Sequence, residues 1–230
     1  MSAADMLKRR AAEQAVDQIR SGMTIGLGSG STMRFVLDEL GRRIASGQLS
    51  AIVSVPTSEQ TAQIAGELGI PISDLARHPA LDLAIDGADE IDPQLGLIKG
   101  RGGALVREKI VASAACRLVI VADGSKLVTQ LGSTMPLPVE VIPLAASLIA
   151  QRLSARGGTC ELRQGATGTP YITDNGNLII DYTCGPIADP AALDLALLRM
   201  PGVVDHGLFL GMAALAIIAD AQGVRMLSKG

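Results

Sequence analysis

The sequence predicts an α/β protein with a mostly parallel sheet covered by helices, and three observations predict it. Short runs rich in Ile and Val (MTIGLG, AIVSV, LDLAIDG, RLVIVAD) alternate with helical segments, as strands do when helices bury both faces of a sheet. Small polar or acidic residues follow each of these runs where the chain turns toward the next helix. The rhythm then breaks at GSTMPLPVEVIP, where three prolines fall within eight residues, and a second, smaller α+β domain begins.

Each element has a local reason. Residues 3–20 place Leu7, Ala11, Ala15, Val16 and Ile19 at helical spacing. MTIGLG reads as a buried strand, and Met33, Val36, Leu37, Leu40 and Ile44 form the apolar stripe of the helix after it. AIVSV is a second strand; SEQTAQIAGELG is a helix opened by Ser58 and closed by Gly69. LDLAIDG, LVREKIVASAA and RLVIVAD continue the alternation as strand, helix and strand. Beyond the prolines come a helix (LAASLIAQRLSA), a strand around TCELR and two β-rich runs, YIT and NLIIDY, about an Asp-Asn-Gly hairpin signal. Asp189 and Pro190 suit the N-cap and first position of a further helix. The closing AALAIIADAQGVRMLSKG reads as two strands that return to the first sheet. The expected domains are therefore residues 1–131 with 207–230, and 132–206.

Composition removes several function classes. Apolar residues make up 48% of the 230 and aromatics only 2%, so the core is aliphatic and bases stacked on aromatic platforms are not expected. A net charge of -3 gives no basic field for nucleic acid. No apolar run is long enough to span a membrane, and the charged beginning of the chain is unlike a secretory signal. Cys116, Cys160 and Cys184 lack metal-type spacing. A cytoplasmic protein is expected, bound neither to nucleic acid nor to a membrane.

IGLGSGST, a strand, glycine turn and helix start, is a phosphate site by geometry, because unpaired N–H groups and the helix dipole favour an anion there. Three ligands compete. A dinucleotide loop needs a third glycine where Ser31 stands, and the next strand ends without a ribose-binding acid. A nucleoside triphosphate loop needs a lysine that is absent. A small phosphate monoester could be held by the amides of Ser29, Gly30, Ser31 and Thr32 and by the Ser31 and Thr32 hydroxyls. Against all three stands a plain turn with Ser31 or Thr32 capping the helix.

DLAIDGADEIDP gathers Asp86, Asp89, Glu90 and Asp92 at a strand end. Glu90 and Asp92 read as solvated turn acids. Asp86 and Asp89 suit the hydroxyls of a polyol, with Gly87 and Ala88 small enough for close approach. In LIKGRGGALVREK, Lys99 precedes Gly100, Arg101, Gly102 and Gly103, and Glu108 lies one turn into the following helix. Lys99 could neutralise an oxyanion and Glu108 abstract a proton, unless Glu108 is a surface residue paired with Arg107 or Lys109. VIVADGSKLV brings Lys126 to another strand end as a point charge for phosphate. These four clusters are expected on one edge of one sheet. His78 and His206 form no nucleophile set and are expected to be structural or surface residues. The inventory suits proton transfer beside a carbonyl of a phosphorylated sugar, without cofactor or metal.

GLGSGST, DGADEID, KGRGGALVREK and ADGSK, with PGVVDHGLF near the end, together resemble ribose-5-phosphate isomerases of type A in order and spacing. The resemblance implies a Rossmann-like sheet with a smaller, ferredoxin-like α+β domain engaged in oligomer contacts. It implies cofactor-free interconversion of ribose 5-phosphate and ribulose 5-phosphate by a homodimer or tetramer. By motif, Glu108 is the implied base, and Asp86, Asp89 and Lys99 bind hydroxyls, assist ring opening and stabilise the enediolate. Ser29, Gly30, Ser31, Thr32, Lys126 and Lys8 are implied at the phosphate, and the turns Asp86–Gly87–Ala88–Asp89 and Lys99–Gly100–Arg101–Gly102 at the sugar. Arg101 interrupts a glycine run and is expected to point away from substrate; Ser29 replaces a usual Thr and keeps its hydroxyl. An amino-sugar phosphate deaminase would need a different catalytic set, and a sugar-phosphate sensor a DNA-binding module.

Overall fold

The computed structural model describes residues 3–228; positions 1–2 and 229–230, the outer ends of the larger expected domain, lie outside the described residues. The order begins α1 (Ala3–Val16), β1 (Thr24–Leu27), α2 (Ser31–Ala45), β2 (Val53–Pro56), α3 (Glu59–Glu67), β3 (Leu83–Asp86). It continues β4 (Glu90–Ile91), β5 (Leu97–Ile98), α4 (Leu105–Ala114), β6 (Leu118–Asp123), β7 (Leu137–Val141), α5 (Ala146–Ser154), β8 (Thr159–Leu162). It ends β9 (Leu178–Thr183), α6 (Pro190–Leu198), β10 (Val203–His206), β11 (Leu208–Phe209), β12 (Ala213–Asp220) and β13 (Gly223–Ser228). Two compact units result: Met1–Ala88 with Arg107–Lys126 and Met212–Gly230, and Asp89–Val106 with Leu127–Gly211.

The first unit holds a six-stranded sheet in the order β13-β12-β6-β3-β1-β2. Every neighbouring pair is parallel except the β12–β13 hairpin, which is the α/β class the alternating runs predict. Its core is aliphatic: Ile25, Leu27, Val36, Leu40, Ile85, Val119, Val121 and Ile217 are sealed from solvent. Gly26 belongs to this packing, because a Cβ there would stand 2.5 Å from Val111 Cγ1 of α4. Ser58 caps α3 by accepting the Thr61 N–H, and Gly69 follows at φ +69°; both boundaries agree with the sequence.

Helices α1 and α2 are clasped by charge. Arg43 of α2 pairs with Asp17 just beyond α1 at 2.7 Å and with Glu39 at 2.6 Å, while Arg42 also meets Glu39 at 2.7 Å. The Arg42 and Arg43 guanidiniums hold the Glu39 carboxyl well below its usual range, at about 2.

The second unit carries an antiparallel sheet, β10-β7-β9-β8, and a small one, β11-β5-β4. Ile149, Leu153, Leu137, Val139, Ile180 and Leu197 pack its core. Asp189 accepts the Ala192 N–H, with Pro190 in the first turn of α6. Two expectations are corrected. Tyr171 and Ile172 lie outside any strand: Thr173 N–H donates to Asn177 O to close the Asp-Asn-Gly turn, and β9 instead pairs with β8. Glu90 is no solvated turn acid. It is fully buried and accepts the N–H groups of Gly132 (2.5 Å), Thr134 (2.6 Å) and Met135 (2.8 Å) and the Thr134 hydroxyl (2.7 Å). Four donors offset its desolvation. Asp92 does serve its own turn, accepting the N–H groups of Gln94 and Gly96.

Glu90→Ala strands those donors and is expected to cost about 2–4 kcal/mol, with Glu90→Gln intermediate; thermal denaturation checks both. Glu39→Gln is expected to lower Tm by about 2–4 °C near neutral pH. Because the folded value of about 2 lies below the ordinary glutamate value of 4.5, this difference is complete above about pH 4.5 and closes as pH falls toward 2. Melting curves of both proteins against pH read it directly.

Candidate active site

The glycine loop leaves β1 with no room for a side chain at position 28. Gly28 donates its N–H to Ile85 O at 2.9 Å, and a Cβ at Gly28 would overlap the Asp86 carboxylate. Asp86, 3% exposed, closes the end of β3, and its Oδ1 accepts the N–H groups of Gly87 (2.7 Å) and Ser29 (3.3 Å). The carboxylate and the loop thus shape one another.

Ser29 sits in a knot of hydroxyls. Its Oγ lies 2.8 Å from Thr57 Oγ1, 2.8 Å from Ser58 Oγ and 3.1 Å from Thr61 Oγ1, and Thr61 Oγ1 donates to Gly28 O. Sequence reasoning used Ser58 only as a helix cap and gave Thr57 and Thr61 no role; the PTSEQT stretch carried that signal. The N-cap of α2 is Gly30 at φ +102°, with no side-chain cap. Ser31 and Thr32 lie inside the helix and do not cap it, so the capping alternative falls. The Lys8 ammonium of α1 donates to Ser31 Oγ at 3.1 Å, which puts the most loosely matched residue against the loop. Lys126 ends the short turn Gly124–Lys126 after β6, partly buried. Glu108, in the first turn of α4, is 4% exposed and is therefore no surface helix residue. All these groups belong to the first unit.

Asp89 and Lys99 belong to the second. Asp89 N–H donates to Ile98 O at 2.8 Å, and its Oδ2 accepts the Arg101 N–H at 2.9 Å. Lys99 is 3% exposed; its N–H donates to Gly207 O at 2.9 Å, and its ammonium stands 5.4 Å from the Phe209 ring centroid. A cation over an aromatic face gains electrostatic attraction. Gly100 takes φ +104°, where a Cβ would also come within 2.8 Å of Leu105. Arg101 and Gly102 are exposed, and Asp89, Arg101, Arg163 and Asp181 line one cleft of about 350 Å³. Arg163, Asp181, Tyr171 and Phe209 were not singled out from sequence.

Lys99 corrects the expectation of four clusters on one sheet edge. The loops after β1, β3 and β6 leave the parallel sheet, but Lys99 follows β5 of the small antiparallel sheet. Leu97-Ile98 is a two-residue strand, too short to be a central parallel one. His206 is buried, its Nδ1 accepting the Leu208 N–H and its Nε2 lying 3.3 Å from Asp194, in keeping with a structural role. Among the described residues, no three His, Cys, Asp or Glu side chains gather as a metal site, and no helix is long and apolar enough to cross a membrane.

Known proteins carry the same pattern. The family model for ribose 5-phosphate isomerase A (phosphoriboisomerase A) matches residues 53–223. A ribose-5-phosphate isomerase A from Roseiflexus castenholzii is 58% identical over 95% of this chain and 94% of its own. A solved ribose 5-phosphate isomerase A from Methanocaldococcus jannaschii superposes with a TM-score of 0.94 at 40% identity, over 99% of this chain and 100% of that one. Another solved D-ribose-5-phosphate isomerase, in complex with phospho-erythronic acid, reaches 0.96 at 42% identity with the same coverage. With most of its length matched at these identities, the chain belongs to the ribose 5-phosphate isomerase A family.

Proposed function

We propose that this isomerase interconverts D-ribose 5-phosphate and D-ribulose 5-phosphate, in the non-oxidative pentose phosphate pathway, by proton transfer through an enediolate with Glu108 as base. The observation that carries the reading is a Glu108 that is 4% exposed in the first turn of the helix following the Lys99–Gly103 turn, in a chain of the ribose 5-phosphate isomerase A family. A water-excluded carboxylate at that place has a chemical task to explain it.

The roles follow from the groups each residue offers. The α2 amides, the Ser31 and Thr32 hydroxyls, Lys8 and Lys126 hold the terminal phosphate, the Lys8–Ser31 bond supporting Lys8 in that set. Ser29 shapes the cradle through its hydroxyl neighbours. Asp86 and Asp89 take sugar hydroxyls and assist opening of the ring. In the open chain, the Glu108 carboxylate removes the proton from C2. The C–H electrons form the C1–C2 double bond, and negative charge moves to the C1 oxygen, where the buried Lys99 ammonium stabilises it. Transfer of the C2 hydroxyl proton to the C1 oxygen, with return of the abstracted proton to C1, leaves a C1 hydroxyl and the C2 ketone. The main-chain turns Gly87–Ala88 and Gly100–Gly102 give the sugar room for close approach. Phospho-erythronic acid, bound by the solved relative, has both a phosphate and an anionic planar carboxylate, the charge pattern of such an enediolate.

Residues 132–206 are proposed to make homo-oligomer contacts. Leu144 is 93% exposed, and Leu148, Ile142, Leu195 and Leu198 are also open to solvent, more apolar surface than a lone unit favours. Leu144→Glu with Leu148→Glu is expected to shift a dimer or tetramer toward monomer in light scattering; an unchanged mass would refute this surface.

Turnover of ribose 5-phosphate is expected to survive a chelator and to fall by about 10²–10⁴-fold in Glu108→Gln. A steady-state assay of both proteins decides it. Near-normal turnover by the variant would remove Glu108 as the base.

A further inference from the structure

Arg163 is charged, side-chain buried to 13% exposure and outside every motif used above. Its guanidinium is committed on all sides. Nε donates to Asp181 Oδ2 at 2.9 Å and Nη2 to Asp181 Oδ1, a fork-to-fork pair. Nη1 donates to two backbone carbonyls, Gly100 O at 2.7 Å and Arg101 O at 3.0 Å. Those carbonyls belong to the turn between Lys99 and Gly103, and the N–H of Arg101 is the donor to Asp89.

We infer that Arg163, aimed by Asp181, is a positioning residue for isomerisation: it fixes the Gly100–Arg101 backbone and, through it, Lys99 and Asp89. The inference rests on the roles proposed above for those two residues. The turn needs such a hold. Gly100 sits at φ +104°, where glycine's own backbone freedom does little to hold one conformation, and residues 101–102 are exposed. Its entry is tied by Lys99 N–H to Gly207 O. Beyond that, Arg163 meets the carbonyls and Asp89 meets the amide, so the acid and the guanidinium grip one peptide stretch from two directions. Asp181 lies on β9, a central strand of the larger antiparallel sheet, which supplies the rigid base. Only a guanidinium can do this: it presents two donors to a carboxylate and a third nitrogen to the carbonyls in one plane, whereas an ammonium is a single point.

The phosphate-holding groups proposed above all lie in the other unit, which gives the test its control. Arg163→Lys and Asp181→Asn are assayed for kcat, for the KI of inorganic phosphate as competitive inhibitor, and for Tm. Misplacing catalytic groups by about an ångström costs on the order of 10²-fold, so kcat is expected to fall about 10- to 100-fold in Arg163→Lys and less in Asp181→Asn. The phosphate KI is expected to stay within about twofold, a split that general loosening would not give. Wild-type kcat in both variants, or parallel loss of kcat and phosphate binding, overturns the inference. Failure of the base assignment reads differently. Normal turnover in Glu108→Gln removes Glu108 while the Arg163 effect on kcat still stands, and a wild type inactive on ribose 5-phosphate overturns both.

Discussion

The absence of a side chain at position 28 is the constraint from which the first unit's polar edge follows. β1 and β3 are hydrogen-bonded neighbours, so the residue after β1 and the last residue of β3 compete for the same volume. Glycine at 28 cedes that volume to the Asp86 carboxylate. Once there, Asp86 gathers the amides of Ser29 and Gly87. The loop must then leave β1 in the direction that sends Ser29 toward Thr57, Ser58 and Thr61 and opens α2 at Gly30. A methyl group at 28 would disturb acid, loop and helix start together, so the glycine spacing specifies packing before it specifies ligand.

This explains why the loop was ambiguous as a string and definite as a structure. Glycine-rich turns before helices serve many phosphates, and the letters GLGSGST share features with several of them. What separates them is company: hydroxyls from the next loop, Lys8 from the preceding helix, and Lys126 after β6. A dinucleotide or triphosphate spreads charge over several groups, whereas the set proposed above suits a single terminal monoester. The fold class was legible because runs such as LAID and LVIVAD are strands apolar up to a terminal Asp, with helices between them, and all but Asp123 are buried. Caps at Ser58 and Asp189 were legible because capping is local chemistry.

What escaped the sequence is non-local. Glu90 reads as one more acid in DGADEID, yet three amides and a hydroxyl forty or more positions away bury it; nothing within its own turn announces them. Lys99 follows an apolar pair that looks like a strand end of the main sheet, but Leu97-Ile98 pairs with β4 and β11 instead. Tyr171 and Ile172 have β-type side chains and still stay outside the ladder, because the strand facing β9 is drawn from TCEL. Periodicity reports which face is buried and says little about which partner buries it.

The same asymmetry separates the two kinds of acid in this chain. Asp86 and Glu90 are both buried carboxylates satisfied by backbone amides, so burial alone cannot sort a functional acid from a structural one. Glu90 spends its oxygens on four donors from a single remote loop, an arrangement that holds that loop and leaves little for a ligand. Asp86 Oδ1 accepts one amide from its own next residue, Gly87, and one from Ser29 of the loop that also opens α2. An acid that organises the start of α2 in this way stands where the sugar phosphate is proposed to bind. Where the partners lie, in the glycine loop for Asp86 and in the remote 132–135 loop for Glu90, is the physical argument for proposing a sugar for Asp86 and a scaffold role for Glu90.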